Sequence, residues 1–459
     1  ISIGICLRIL MRNAPALTLR SMTADDMTAE KALRIGQMIG SSYKSVCIGS
    51  DTNPSSRMIK NSLISGLLSA GADVSDAGTA PAPAVAMASK DSDCMLMVGE
   101  PDEQGMISRI FIMNSDGSVF TKEHLRRLIV EDRADRPLPG YKEVGSMRTC
   151  DSVAEDYNRT ICERYKKIVD APLILDCGCG CTSVCAPQIL ASVGADLTTI
   201  NAQSDPLYSP RPPGVGADDV SGLEGMVGTE FGSIGIALNG DGTRLALFDE
   251  SGKYVDPESV LALLLLYLKP SSAVIPLNAS AVVDDAFRDL IGDGLSTDAK
   301  ARHGRRIIRA ENDLESITAA IKENDAEMGA MTDGTFIFPD ITMCPDAINA
   351  AVILTKMSGE NSISNLLASF PRYMVLEDSV YAPGNTESFN KKLGDKLKEL
   401  DRDDIWEIEG GRVGMAGGWF AISRNAEDPE YISVTAEAKE KVYAVSMMEL
   451  AKDIVRSCL

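Results

Sequence analysis

The stretch SVCIGSDTNPSSRMIKNSLISGLLSAGADVSDAG, residues 45–78, decides the architecture of this chain. A short apolar run is followed by a loop of Ser, Asp, Thr, Asn and Pro, then by an amphipathic segment at helical spacing, then by a second apolar run. The side chains of DTNPSS (51–56) can accept from the free N–H groups of a helix beginning near Ser55. Residues 172–202, PLILDCGCGCTSVCAPQILASVGADLTTINA, repeat the plan, down to the shared junctions SAGADV (69–74) and SVGADL (192–197). In each junction the glycine is placed to take the left-handed conformation that ends a helix. A weaker third copy is SAVIPLNASAVVDDAFRDLIGDGLSTDAK, residues 272–300.

Strand–helix–strand units with apolar strands imply sheets covered by helices on both faces. Recurrence at roughly a hundred residues implies duplicated domains, since solenoid repeats have periods of about 20–50 residues. Near residue 370 the pattern changes. GWFAIS (418–423) and YISVTAEA (431–438) alternate like half-exposed strands, and EKVYAVSMMELAKDIVRS (440–457) reads as a closing amphipathic helix. The expected fold class is therefore α/β: three similar α/β/α domains with mixed sheets, plus a smaller C-terminal α+β domain.

A net charge of −21 disfavours nucleic acid and acidic membrane surfaces, both of which ask for Lys and Arg. The opening ISIGICLRIL is too short for a membrane span, is interrupted by Arg8 and lacks a signal-peptide cleavage pattern; it reads as a buried first strand. Eleven cysteines, an odd number, fit free thiols in a reducing cytoplasm. Cys177, Cys179, Cys181 and Cys185 lack the paired CxxC spacing of zinc sites and read as small buried residues at a turn. Only two histidines exist, His124 in the solvated-looking helix TKEHLRRL and His303 in the basic run KARHGRR, so histidine-based chemistry is a poor expectation. The run VLALLLLYL (260–268) reads as a core helix.

LNGDGTRLALFDESG (238–252) carries the chemical question. An apolar strand, IGIAL, enters a turn and the chain returns as LALF. Carboxylates at every second position of such a turn would make a magnesium cradle. Here those positions are Asn239, Asp241 and Thr243, with a single carboxylate.

Taken in order, these segments resemble the α-D-phosphohexomutases: phosphoglucomutase, phosphomannomutase and phosphoglucosamine mutase. MTAEKALRIGQMIG (27–40) is similar to the family's first helix, and residues 48–86 to its GRDTR-type segment. NSDGS (114–118), LDCGCG (175–180), GDGTR (240–244), GTFIFPD (334–340) and WFAIS…DPEY…VTAEA (419–438) follow in the family's order. The resemblance implies four domains around a central cleft, at 1–147, 148–249, 250–369 and 370–459. It also implies interconversion of hexose 1- and 6-phosphates through a phosphoserine, assisted by Mg²⁺.

Each motif departs from that pattern. The family serine, in a TASHNP-like loop, falls at Gly99 counted from the preceding strand and at Pro101 counted back from NSDG. Neither has a hydroxyl, and Ser108 is the nearest substitute. Glu100, Asp102 and Glu103 add repulsion toward a phosphate, and Phe111 falls where a lysine is usual. The DGDADR-like metal loop keeps Asp241 only, with Asn239 and Thr243 at the other ligand positions, so Mg²⁺ binding is expected to be weak or absent. In GAMTDGTFIFPD (329–340) the family's sugar-binding Glu, Ser and His are replaced by Met331, Asp333 and Thr335. The phosphate loop reads SRNAEDP (423–429), with Arg424 shifted by one place, so a phosphate would need Arg424 and Arg412 to turn inward together. APALTLR (14–20) keeps Arg20 of the first motif.

The resemblance thus implies Arg20, Arg244, Asp333, Thr335 and Arg424 as the remaining substrate-binding set. The expected function is a non-catalytic relative of these mutases that binds a sugar phosphate weakly or serves as a partner or structural subunit, beside an active mutase or by self-association. The alternatives are an active mutase with relocated residues, and a different chemistry from an acidic cluster of Glu100, Asp102, Asp241 and Asp333.

Overall fold

The computed structural model describes residues 18–22, 27–99, 107–131, 139–165, 171–205, 209–229, 232–289, 306–382, 386–400, 405–408, 410–415, 417–424 and 430–459. The chain divides into two compact units, residues 1–257 with 333–364, and residues 258–332 with 365–459.

In the first unit, strands β1 (Thr18–Met22), β2 (Ser45–Ser50), β3 (Asp73–Thr79), β4 (Cys94–Gly99), β5 (Ile107–Asn114) and β6 (Met147–Thr149) form a sheet of order β1-β5-β4-β2-β3-β6. β2, β3, β4 and β6 are parallel, and β5 and β1 are added antiparallel. The expected helix after β2 spans Pro54–Ser69, and Asn53 caps it by accepting from the N–H of Ser55. Gly71 follows with φ +85° and Gly194 with φ +99°, the left-handed turns that the two matched junctions predict. The first helix, Ala29–Ser42, lies directly on Pro54–Ser69. A Cβ on Gly66 would sit 1.9 Å from the carbonyl oxygen of Leu33, so this crossing requires glycine.

A second sheet has order β11-β10-β9-β7-β8, from β7 (Ala171–Asp176), β8 (Ala195–Ile200), β9 (Ile234–Leu238), β10 (Leu245–Phe248) and β11 (Tyr254–Val255). β7, β8 and β9 are parallel, and β10 folds back antiparallel on β9. The helix Ala347–Glu360 covers this sheet against β7 and β9. The first sheet runs to Thr149 and the second to Val255.

In the second unit, β12 (Ser272–Pro276) pairs in parallel with β13 (Arg306–Ala310) and β14 (Met328–Ala330). The core helix expected from VLALLLLYL spans Pro257–Leu268, with Val260–Leu265 all buried. The C-terminal part is an antiparallel sheet of order β17-β21-β20-β19-β18, where β17 is Met374–Tyr381, β18 Ile405–Ile408, β19 Gly410–Met415, β20 Gly418–Arg424 and β21 Tyr431–Ala438. Helices Thr386–Lys398 and Lys441–Cys458 pack on it around Phe420, Ile422, Val434 and Met447. This is the α+β ending expected from the change of pattern near residue 370. No described helix is long and apolar enough to cross a membrane.

His124 corrects one expectation. Its helix, Lys122–Glu131, forms, but the ring is half-buried rather than solvated. It stacks on Phe120 at 4.3 Å between centroids and lies 2.7 Å from the Tyr43 hydroxyl. His303 and the segment 1–10 lie outside the described residues.

Candidate functional site

β9 brings the buried run Ile234–Leu238 to the turn at 239–244, and β10 carries the chain away. Gly242 has φ +79°, which the turn requires. The carbonyl of Asn239 accepts from the N–H of Gly242 at 3.3 Å, and its N–H donates to the carbonyl of Arg244 at 3.0 Å. Four segments meet this turn. The N–H groups of Ala82, Ala347 and Cys181 donate to the carbonyls of Asp241, Gly242 and Gly240 at 2.9, 3.0 and 2.9 Å, and Leu245 N–H donates to the carbonyl of Gly334 at 3.1 Å.

Asn239 and Asp241 are buried, and the side chains of Asn239, Asp241 and Thr243 bond to one another. Asn239 Nδ2 donates to Asp241 Oδ1 (2.8 Å) and to Thr243 Oγ1 (2.9 Å), and Thr243 Oγ1 donates to Asp241 Oδ1 (2.6 Å). Asn239 Oδ1 accepts from the backbone N–H of Thr243 and of Arg244, at 2.9 and 3.0 Å. Arg244, Asp333 and Thr335 also come together. Arg244 and Thr335 form an antiparallel bridge, Arg244 Nη1 lies 3.9 Å from Asp333 Oδ2, and the N–H of Thr335 donates to Asp333 Oδ1. Thr335 is buried, whereas Asp333 is exposed.

Gly99 is the last residue of β4 and is buried. A Cβ built there would stand 2.7 Å from the carboxylate of Asp51, which follows β2 and is itself buried. Pro101, Glu100, Asp102 and Glu103 lie outside the described residues. Ser108 lies within β5, with Ser21 as its partner on β1, rather than in the loop before it. The same register sets Arg20 opposite Arg109, and Arg109 opposite Gly99. Cross-strand partners share a face, so Arg109 belongs to the neighbourhood of Gly99. Sequence reasoning missed it, because only the pairing of β1, β5 and β4 makes these three neighbours.

Arg424 ends β20, and residues 425–429 lie outside the described residues. Arg412 is not the inward-turning partner a phosphate there would need. It is buried, donates to the carbonyls of Leu277 (2.8 Å) and Ala279 (2.6 Å), pairs with Asp284 and stacks 3.9 Å over Trp419. Trp419 Nε1, Ser280 Oγ and the N–H of Ala281 all donate to the buried Glu437. Arg412 and Glu437 are therefore structural cross-links inside the second unit.

The four clustered cysteines are all buried, as expected of small packing residues. Burial pushes the Cys177 thiol up to about 12 and those of Cys181 and Cys185 well above the usual thiol range, so none is a ready thiolate. Among the described residues no group of three or more His, Cys, Asp or Glu side chains could hold a metal ion.

A model of the phosphoglucomutase/phosphomannomutase alpha/beta/alpha domain I matches residues 18–132. Similar along nearly the whole chain are proteins named probable phosphoglucosamine mutase. That of Methanosarcina barkeri is 29% identical over 453 residues, covering 96% of this chain and 98% of its own length. That of Methanocella arvoryzae is 28% identical over 446 residues, covering 96% and 97%. Among solved structures, a phosphoglucomutase/phosphomannomutase family protein from Burkholderia thailandensis superposes with a TM-score of 0.81 at 19% identity, over 100% of this chain and 97% of that one. The Paramecium phosphoglucomutase parafusin, in its open form, gives 0.72 at 10% identity, over 97% and 95%. Fold and sequence together define a multi-domain α/β protein of the phosphoglucomutase/phosphomannomutase type. The domain I match, the whole-chain similarity to proteins named phosphoglucosamine mutase and the shared fold together support the α-D-phosphohexomutase superfamily.

Proposed function

We propose that this chain is a phosphohexomutase relative that does not interconvert hexose 1- and 6-phosphates, and that it binds a sugar phosphate weakly or serves an active mutase as partner or structural subunit. The observation that carries this reading is Gly99. Covalent phosphoryl transfer needs an oxygen in line with phosphorus, and the strand-counted position has no side chain, with the Asp51 carboxylate 2.7 Å from where a Cβ would stand. Mg²⁺ asks for several oxygen donors, preferably anionic, in octahedral array. At the metal position stand one carboxylate, a hydroxyl donating to it and an amide turned with its NH₂ inward, a poor match, so no step is assigned to the ion. Arg20, Arg244, Asp333, Thr335 and Arg424 are the polar groups left for a ligand. The four-domain division at 147, 249 and 369 and a cytoplasmic location belong to the same reading; ten described cysteines, all free thiols, support a reducing compartment.

One observation favours a second reading, an active mutase with relocated residues: the relatives similar over 96% of the chain are named as phosphoglucosamine mutases. The acidic-cluster chemistry is less well supported, since Asp241 is bonded within its own turn while Asp333 lies exposed beside Arg244. A coupled assay with Mg²⁺ on glucose, mannose and glucosamine 1-phosphates separates the first two readings. The proposal expects no turnover above background. Turnover within tenfold of about 10 s⁻¹, a typical enzyme value, would establish the second reading.

A further inference from the structure

We infer that the side-chain amide of Asn239 stands in for a divalent cation, so that the 239–244 turn is ordered without metal and takes none up. This inference goes beyond the functional proposal, because it concerns how the turn is held and not whether the protein turns over substrate.

The orientation of the Asn239 amide is forced. Its Oδ1 lies 2.9 and 3.0 Å from the backbone nitrogens of Thr243 and Arg244, which can only donate. The NH₂ must therefore face Asp241 and Thr243. There it supplies partial positive charge to Asp241 Oδ1 and Thr243 Oγ1 from 2.8 and 2.9 Å, on the side an ion shared by residues 239, 241 and 243 would occupy. An amide nitrogen has no lone pair to offer a metal. Asp241 Oδ1 already accepts from three donors, Asn239 Nδ2, Thr243 Oγ1 and the N–H of Thr243. The Thr243 proton is committed to that carboxylate as well.

For a cation to enter, Asn239 would have to rotate its oxygen inward. That rotation takes the Asn239 acceptor from the N–H of Arg244 and leaves the N–H of Thr243 only its longer bond to Asp241 Oδ1, in a turn where Asn239 and Asp241 are almost fully buried. The backbone offers no compensating movement, because residues 81–82, 181, 334 and 347 clamp the turn. The local charge requirement is met by an internal donor, and the turn keeps its shape in the absence of any ion.

Asn239→Asp tests this. It keeps the shape of the side chain but sets a second carboxylate oxygen against Asp241 Oδ1 in a buried site, where like charges repel. At pH 7.5 in EDTA this variant is expected to melt about 5 °C or more below the parent protein. Millimolar Mg²⁺ or Mn²⁺ should recover at least half of that loss. The parent protein should melt at one temperature with and without the ions, and so should Asn239→Ala, which loses every hydrogen bond of the amide and gains no charge. A folded Asn239→Asp protein that the ions leave unchanged would contradict the inference. Mn²⁺ titration calorimetry on the parent protein decides independently of whether the variant folds. No saturable binding, or binding unaltered in Asp241→Asn, supports the inference, and binding abolished in Asp241→Asn overturns it. Turnover is not read in either measurement, so the outcome stands apart from that of the mutase assay.

Discussion

Asp241 and Asp346 are both almost wholly buried carboxylates in the first unit, yet they are held in opposite ways. Asp241 sits in a short turn whose own residues, 239 and 243, deliver three hydrogen bonds to a single oxygen. Asp346 caps the helix Ala347–Glu360 through the N–H of Asn349 (2.8 Å), and it also accepts from the Tyr157 hydroxyl (2.6 Å), 189 residues away. Asp346 Oδ2 and the nearby Asn349 Nδ2 are buried without a protein partner. Burial pushes the Asp346 carboxyl up to about 6, against the pull of Tyr157 and the helix N–H groups. Depth is nearly the same at both; what differs is where the donors come from, the residues of one short turn at Asp241 and two helices far apart in the chain at Asp346.

The comparison can be broken at either carboxylate. The larger effect is expected at Asp241. Asp241→Ala takes the acceptor from one hydrogen of the Asn239 NH₂ and from the Thr243 hydroxyl in a buried turn, and should cost about 3 kcal/mol in urea unfolding of the first unit. A loss below about 1 kcal/mol would mean that the triad of side chains does not hold the turn.

The smaller effect belongs to Asp346 and has the opposite sign at neutral pH. Its folded pKa lies above the ordinary aspartate value of 3.8, so the native state favours the protonated form. The resulting stabilisation is complete below about pH 4 and disappears as pH rises through about 6. Above that window the ionised carboxylate burdens the fold by an amount on the order of 3 kcal/mol. Asp346→Asn removes that burden while its NH₂ gains no ready acceptor, so a net gain of about 1–2 kcal/mol at pH 8 is expected. The stability difference between the variant and the parent should vanish or reverse at pH 4. A difference that does not change between pH 4 and pH 8 would show that Asp346 does not titrate with folding.

What the sequence makes legible follows the same division. Signals that act over a few residues can be read directly. The Asn53 cap, the left-handed Gly71 and Gly194, the buried cysteine turn and the alternating C-terminal strands all appear where their local chemistry puts them. Of the candidate site, the single carboxylate at Asp241 and the missing hydroxyl at Gly99 are equally plain from residue identity. Arrangements made by distant pairing are not. Arg109 stands beside Gly99 only because β5 lies between β1 and β4. Arg412 looks free in sequence, yet it is consumed by carbonyls more than a hundred residues earlier. The direction of the Asn239 amide depends on where the backbone N–H groups of a folded turn point, which no residue type announces.

The proposed function requires that no serine of this chain accepts and returns a phosphoryl group. Intact-protein mass spectrometry after incubation with glucose 1,6-bisphosphate and Mg²⁺ tests it most directly, with peptide mapping across residues 95–120. The account predicts an unmodified mass. A stoichiometric gain of one phosphoryl group, mapped to Ser108 or any other serine of that segment, would contradict it.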